Sequence, residues 1–105
     1  MLRTYETLLL LSPELGAEGR GEVLETLKGV IQNQGGQPLE IDEWGMRDLA
    51  YPVKKQNRGY YVLITFGLEG PKVAELERII RITDGIFKFV IVQLSDTFAE
   101  AEQEA

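Results

Sequence analysis

Gly59-Tyr60-Tyr61-Val62-Leu63-Ile64-Thr65-Phe66 is the stretch on which the reading of the whole chain turns. Aromatic and β-branched residues fill it, the composition that suits a pleated strand. A strand with one wet face carries a polar residue at every second position. Here Tyr60, Val62, Ile64 and Phe66 form one apolar set, and Tyr61 and Leu63 begin another. The segment is therefore expected at the centre of a sheet.

Upstream of it, Lys54 to Arg58 reads as a polar hairpin loop, and Pro38 to Val53 as the strand that the loop returns. Leu39 and Ile41 mark the early part of that strand and Leu49 and Tyr51 the late part; Trp44-Gly45 predicts a bulge or bend between them. Further back, Val23, Leu24, Leu27, Val30 and Ile31 make the stripe of an amphipathic helix over about Ala17 to Gln34, closed by Gly35-Gly36. Thr4 to Leu11 is a strand with Thr7, Leu9 and Leu11 on one face and Glu6, Leu8 and Leu10 on the other. Downstream, Gly70-Pro71 opens a second helix with Val73, Leu76, Ile79 and Ile80 inward, Asp84-Gly85 ends it, and Ile86 to Leu94 is a fourth strand.

The order strand, helix, strand, strand, helix, strand predicts an α+β, ferredoxin-like βαββαβ fold, a four-stranded antiparallel sheet with two helices on one face. Residues 1–95 form one domain in this reading, and 96–105 an acidic, disordered tail that RNA binding does not need.

Composition removes most chemistry. Among 105 residues there is no cysteine and no histidine, so disulfides, thiol nucleophiles, the usual zinc ligands and the commonest general base are all missing. No P-loop or dinucleotide fingerprint is present, and neither a cofactor nor an enzymatic activity is expected. Glu14, Glu18, Glu22 and Glu25 read as the solvated face of the first helix. Met1 to Tyr5 begins no long apolar stretch, which points to a cytoplasmic protein with no membrane contact.

The net charge of −6 argues against nucleic acid until its distribution is considered. Asp96, Glu100, Glu102 and Glu104 carry four of the negative charges, and the stretch Trp44 to Tyr60 sets Arg47, Lys54, Lys55 and Arg58 against Asp48 alone. Arg58-Gly59-Tyr60 also matches the first positions of the base-stacking signature of RNA-recognition motifs, but Tyr61 stands where a small residue belongs, so Tyr60 is read as core.

Two helices can cover one face of a sheet, yet here both faces are apolar. Ile86, Val90 and Val92 alternate with Phe87, Phe89 and Ile91, and the second face is assigned Leu8, Leu10, Tyr61, Leu63, Phe87 and Phe89. An uncovered face of that kind predicts a partner surface. On the fold alone, an oligomeric small-molecule sensor or an acylphosphatase-type enzyme also fits, although no arginine-bearing phosphate loop follows the first strand.

Glu43-Trp44-Gly45-Met46-Arg47-Asp48-Leu49-Ala50-Tyr51-Pro52-Val53-Lys54-Lys55, followed by Gly59-Tyr60-Tyr61, resembles the signature of the bacterial small-subunit ribosomal protein six family. The resemblance runs from Arg3-Thr4-Tyr5-Glu6 through Leu76, Arg81 and the Asp84 turn to Val90. It implies a ribosome-associated structural protein with no small-molecule substrate. Such a protein binds the central domain of small-subunit ribosomal RNA as a heterodimer with ribosomal protein eighteen and supports subunit assembly. By position, it implies RNA contacts at Arg3, Tyr5, Arg47, Arg81 and Lys88, further ones at Lys54, Lys55 and Arg58, and protein contacts at Trp44, Leu49 and Tyr51. Thr83 and Phe87 depart from the family's frequent arginines near the last turn, which shifts the expected weight from RNA toward the partner protein.

Overall fold

Tyr60 to Phe66 lies within a strand that has neighbours on both sides. The computed structural model describes residues 2–95. Its elements are β1 (Arg3–Leu11), α1 (Gly16–Asn33), β2 (Gln37–Val53), β3 (Gln56–Leu68), a 3-10 turn (Gly70–Lys72), α2 (Val73–Ile82) and β4 (Ile86–Ser95). The strands stand in the order β2-β3-β1-β4, and every pairing is antiparallel. This is the expected ferredoxin-like arrangement. The tail expected from residue 96 onward lies outside the described residues.

The core follows from the two periodicities. Tyr5, Leu9 and Leu11 of β1 and Val62, Ile64, Phe66 and Leu68 of β3 point to the helix side. There they meet Val23, Leu24, Leu27 and Ile31 of α1 and Leu76 and Ile80 of α2. Tyr5 stacks on Phe66 with ring centroids 5.8 Å apart. Tyr60 also packs on this side, with the Arg20 guanidinium 3.9 Å from its ring centre and its hydroxyl donating to Glu43 Oε1 at 2.9 Å. It is thereby removed from the open sheet face, where a base-stacking tyrosine would stand.

Three departures from the sequence reading come from strand irregularities. The hairpin loop is two residues, not five: Lys54 and Lys55 take left-handed φ of 49° and 66°, and Gln56, Asn57 and Arg58 belong to β3. Paired left-handed residues match the twist of a two-residue hairpin. Next to it, the ladder jumps from Asp48↔Arg58 to Val53↔Gln56, so Leu49-Ala50-Tyr51-Pro52 bulges out of register. Pro52 has no N–H for a ladder, and an edge strand is where a sheet tolerates it. The expected irregularity at Trp44-Gly45 is present as a second register shift, with Gly45 at φ 97°.

The third departure is in β4. Leu11 pairs with Ile86 but Leu10 pairs with Lys88, so Phe87 is an extra residue. Downstream of that bulge, Phe89 and Ile91 pack on the helix-side core while Val90 and Val92 are exposed. Strict alternation had put Phe89 and Ile91 on the open face; the inserted residue reverses the assignment, because a one-residue slip moves every side chain to the other side.

Thr7 is 1% exposed, and its Oγ1 has no hydrogen-bond partner. A hydroxyl buried without a partner costs about 1–3 kcal/mol. Thr7→Val, which keeps the branched shape, is expected to raise stability by about 1 kcal/mol, read as a higher urea midpoint at unchanged slope.

Candidate nucleic-acid and protein interface

The residues implied in RNA contact do not form one cluster. Arg3 pairs with Leu68 at the start of β1, whereas Lys88 pairs with Leu10 near its end. Seven residues of extended strand separate them, about 23 Å. At the first end, the Arg3 guanidinium and the Tyr5 hydroxyl both border Gly70, each within 3.5 Å of where a Cβ on that glycine would stand. The Tyr5 ring is 6% exposed and belongs to the core, so packing is its role and only its hydroxyl end is placed toward the surface beside Arg3.

At the other end, the bulged segment Leu49–Pro52 throws Tyr51 out of the ladder, where it meets β4. Lys88 Nζ donates to the Tyr51 hydroxyl at 3.0 Å and lies 4.8 Å from its ring centre. Lys54 Nζ lies 5.7 Å from the Phe87 ring. The hairpin tip and the start of β4, more than thirty residues apart in sequence, therefore share one corner of the sheet. Lys88 holds the Tyr51 phenol below the ordinary tyrosine range, first through the hydrogen bond and then through its charge. Lys88→Ala is accordingly expected to move the Tyr51 titration upward, as followed by tyrosinate absorbance; an unchanged titration would mean the contact is not kept in solution.

The remaining basic candidates sort by whether a carboxylate already holds them. Arg58 Nε is 3.2 Å from Asp48 Oδ1, and Arg81 Nη2 is 3.3 Å from Glu77 Oε2. Arg81 also lies 5.4 Å from the ring centre of Phe89, on the helix side of the sheet, across from Lys88. Arg47 donates to the Trp44 carbonyl at 3.3 Å. Among the described residues, Arg3, Arg47, Lys54, Lys55 and Lys88 make no ion pair. Unpaired cations are the ones free to neutralise phosphate without first losing a partner.

The open face is apolar in the middle and charged at its ends. Leu8, Leu10, Tyr61, Phe87, Lys88 and Val90 line a groove of 460 Å³ on this face. Val90 is 57% and Val92 44% exposed, and Trp44, 42% exposed, tilts over Tyr61 at 6.3 Å. The Trp44 indole N–H donates to Asp42 Oδ2 at 3.2 Å. Directly paired residues share a face, so Glu6 stands with Val92, and Glu40 and Asp42 with Thr65 and Leu63. Acids therefore edge the end of the face opposite to Lys88. Leu49 is half-buried beside this region, in the bulge.

A second groove, of 570 Å³, runs between α1 and β2 and is edged by Glu18, Glu22, Glu25 and Glu43 over Leu24 and Ile41. Four carboxylates there repel phosphate. The α1 side is therefore a poor surface for a polyanion. Among the described residues no group of His, Cys, Asp and Glu is placed to hold a metal, and no helix is long and apolar enough to cross a membrane.

The family model described as Ribosomal protein S6 matches residues 4–93. The chain belongs to the ribosomal protein S6 family. It is 61% identical over 100 residues to the small ribosomal subunit protein bS6 of Oleidesulfovibrio alaskensis, covering 95% of this chain and 99% of that one. It is 50% identical over 103 residues to bS6 of Lawsonia intracellularis, covering 98% and 97%. The crystal structure of the 30S ribosomal protein S6 of Thermotoga maritima superposes with a TM-score of 0.83 at 30% identity, over 99% of this chain and 95% of that one. The family is one of structural ribosomal proteins and not of enzymes, which sets aside the acylphosphatase alternative.

Val90, Val92, Glu6, Glu40 and Asp42 went unnamed as site residues in the sequence reading. The signal for the valines was present in the alternation of β4, but the bulge at Phe87 inverts its phase. The acids become meaningful only once the register sets three strands side by side.

Proposed function

We propose that this S6 family protein is a structural component of the small ribosomal subunit. In this reading it sits in the cytoplasm on the ribosome, binds the central domain of small-subunit ribosomal RNA, and does so as a heterodimer with ribosomal protein eighteen. The carrying observation is the uncovered apolar sheet face with its exposed Val90, Val92 and Trp44. At about 25 cal/mol per Å², leaving such a face in water forgoes stabilisation that a partner restores. The acids at one end, Glu6, Glu40 and Asp42, favour a partner that brings basic residues there. Trp44 and Leu49 belong to the protein contact in this reading.

RNA is assigned to Arg3, Arg47, Lys54, Lys55 and Lys88, unpaired cations at both ends of β1 and on the hairpin. Contacts spread this way recognise the shape and backbone of a folded RNA and not a base sequence. Arg3, Arg47 and Lys88 carry the phosphate contacts, with Lys54 and Lys55 joining them. Arg58 and Arg81 contribute less because Asp48 and Glu77 must first be given up.

Two measurements test this. Binding to a central-domain RNA fragment with protein eighteen present is expected to fall with salt. Arg3→Ala and Lys88→Ala should each flatten the logarithmic salt slope by about 0.9, and Arg81→Ala by distinctly less. Equal slopes for all three would sink the distinction between paired and unpaired cations. Val90→Lys with Val92→Lys should weaken the heterodimer at least about tenfold while leaving the thermal midpoint nearly unchanged, since both sites are exposed. Undiminished pairing would remove the open face from the interface.

A further inference from the structure

We propose that the hairpin tip and the start of β4 form a single composite phosphate site for folded RNA, and that Tyr51 is its positioning residue. The proposal rests on the RNA-binding reading above but moves Tyr51 from the protein contact to this corner.

Three observations on different elements carry it. The first is the tether. Tyr51 is 62% exposed, yet its hydroxyl and ring both hold Lys88. An ammonium has three donors, and the phenol takes one of them. The remaining two stay available, on a cation that no carboxylate among the described residues neutralises.

The second is the tip. Type I′ geometry favours Asn-Gly, since both central residues need positive φ. Here two lysines occupy those positions at 49° and 66°. Side chains with a Cβ take this conformation at a cost, and such cost is typical of positions kept for what they bind. The turn directs Lys54 toward Phe87, where the aromatic face supports the charge.

The third is the bulge that joins them. Leu49–Pro52 stands opposite Asn57 alone, so Tyr51 leaves the alternation of β2 and reaches across to β4. The side chains of Tyr51 and Phe87 thereby seat Lys88 and Lys54 at one corner. The ligand chemistry that suits two uncompensated lysines on aromatic supports is an oxyanion approached from solvent, and in this protein that is a backbone phosphate of RNA.

The test measures affinity for a central-domain ribosomal RNA fragment, with protein eighteen present, across a series of salt concentrations. Lys88→Ala should lower the logarithmic slope by about 0.9. The pair Lys54→Asn with Lys55→Gly should lower it by between about 0.9 and 1.8, depending on whether Lys55 joins Lys54 at the phosphate. That same pair relaxes the turn, so its thermal midpoint should rise while its affinity falls. Tyr51→Phe keeps every charge and should leave the slope alone, but weaken binding about threefold by releasing Lys88. In the Lys88→Ala background, Tyr51→Phe should then change nothing further.

Binding by wild type with unchanged slopes in the lysine variants would overturn the corner and leave the RNA reading standing. A threefold loss from Tyr51→Phe that persists without Lys88 would overturn the positioning role. No binding by the wild-type pair would overturn the RNA reading and the corner together.

Discussion

Two helices cannot cover both faces of a four-stranded sheet, and that limit organises this protein. α1 and α2 close one face with leucine, isoleucine and valine. The other face has the composition of a core without the cover. A monomer in water would be better served by polar residues at Val90, Val92 and Leu8, and replacing them would cost the helix-side core nothing. Their apolar character does not serve the helix-side core. The charged residues are arranged to the same end, with acids at one limit of the face and Lys88 at the other.

The same division separates the molecule electrostatically. The α1 side carries the glutamate-edged groove, while Arg3, Arg47, Lys54, Lys55 and Lys88, none of them in an ion pair, lie along the hairpin and at the two ends of β1. The net charge of −6 is unevenly placed, with four of the acids gathered at the α1 groove. Placement, and not the total, decides which surface a polyanion approaches. Ion pairs within the protein refine this further: Asp48 and Glu77 neutralise Arg58 and Arg81, leaving a smaller set of free cations than the sequence displays.

The fold was legible in the sequence because its main signals are local and repeated. The stripe Val23, Leu24, Leu27, Ile31 needs only helical periodicity, and the apolar run around Val62 and Ile64 needs only strand alternation. Trp44-Gly45 announced its bulge through a glycine. The failures share one cause. At Phe87 and at Leu49–Pro52 a strand gains residues relative to its neighbour; nothing in the residue types marks the first, and Pro52 marks the second without giving its length. The length of the hairpin loop was misread because lysines at left-handed φ do not look like turn residues. For the candidate site, the cations are suggested by family resemblance, whereas which of them already have a carboxylate partner is a matter of tertiary geometry.

Those irregularities are also where the sheet is fitted to its task. A regular β2 would keep Tyr51 in the ladder at the sheet edge, two strands from β4, and a regular β4 would put Phe89 and Ile91 in water and Val90 and Val92 inside. The bulge at Phe87 keeps the large aromatic Phe89 in the core and presents the smaller valines outward, a flatter surface for another protein to meet. The bulge before Val53 lets Tyr51 of the edge strand reach its own sheet's far strand. Edge irregularity also blocks indiscriminate strand pairing, which matters for a small protein whose open face is already apolar. Departures from ideal geometry thus do two things at once: they bring Tyr51 to Lys88 and turn Val90 and Val92 outward, and they leave the remaining edge a poor template for strand pairing.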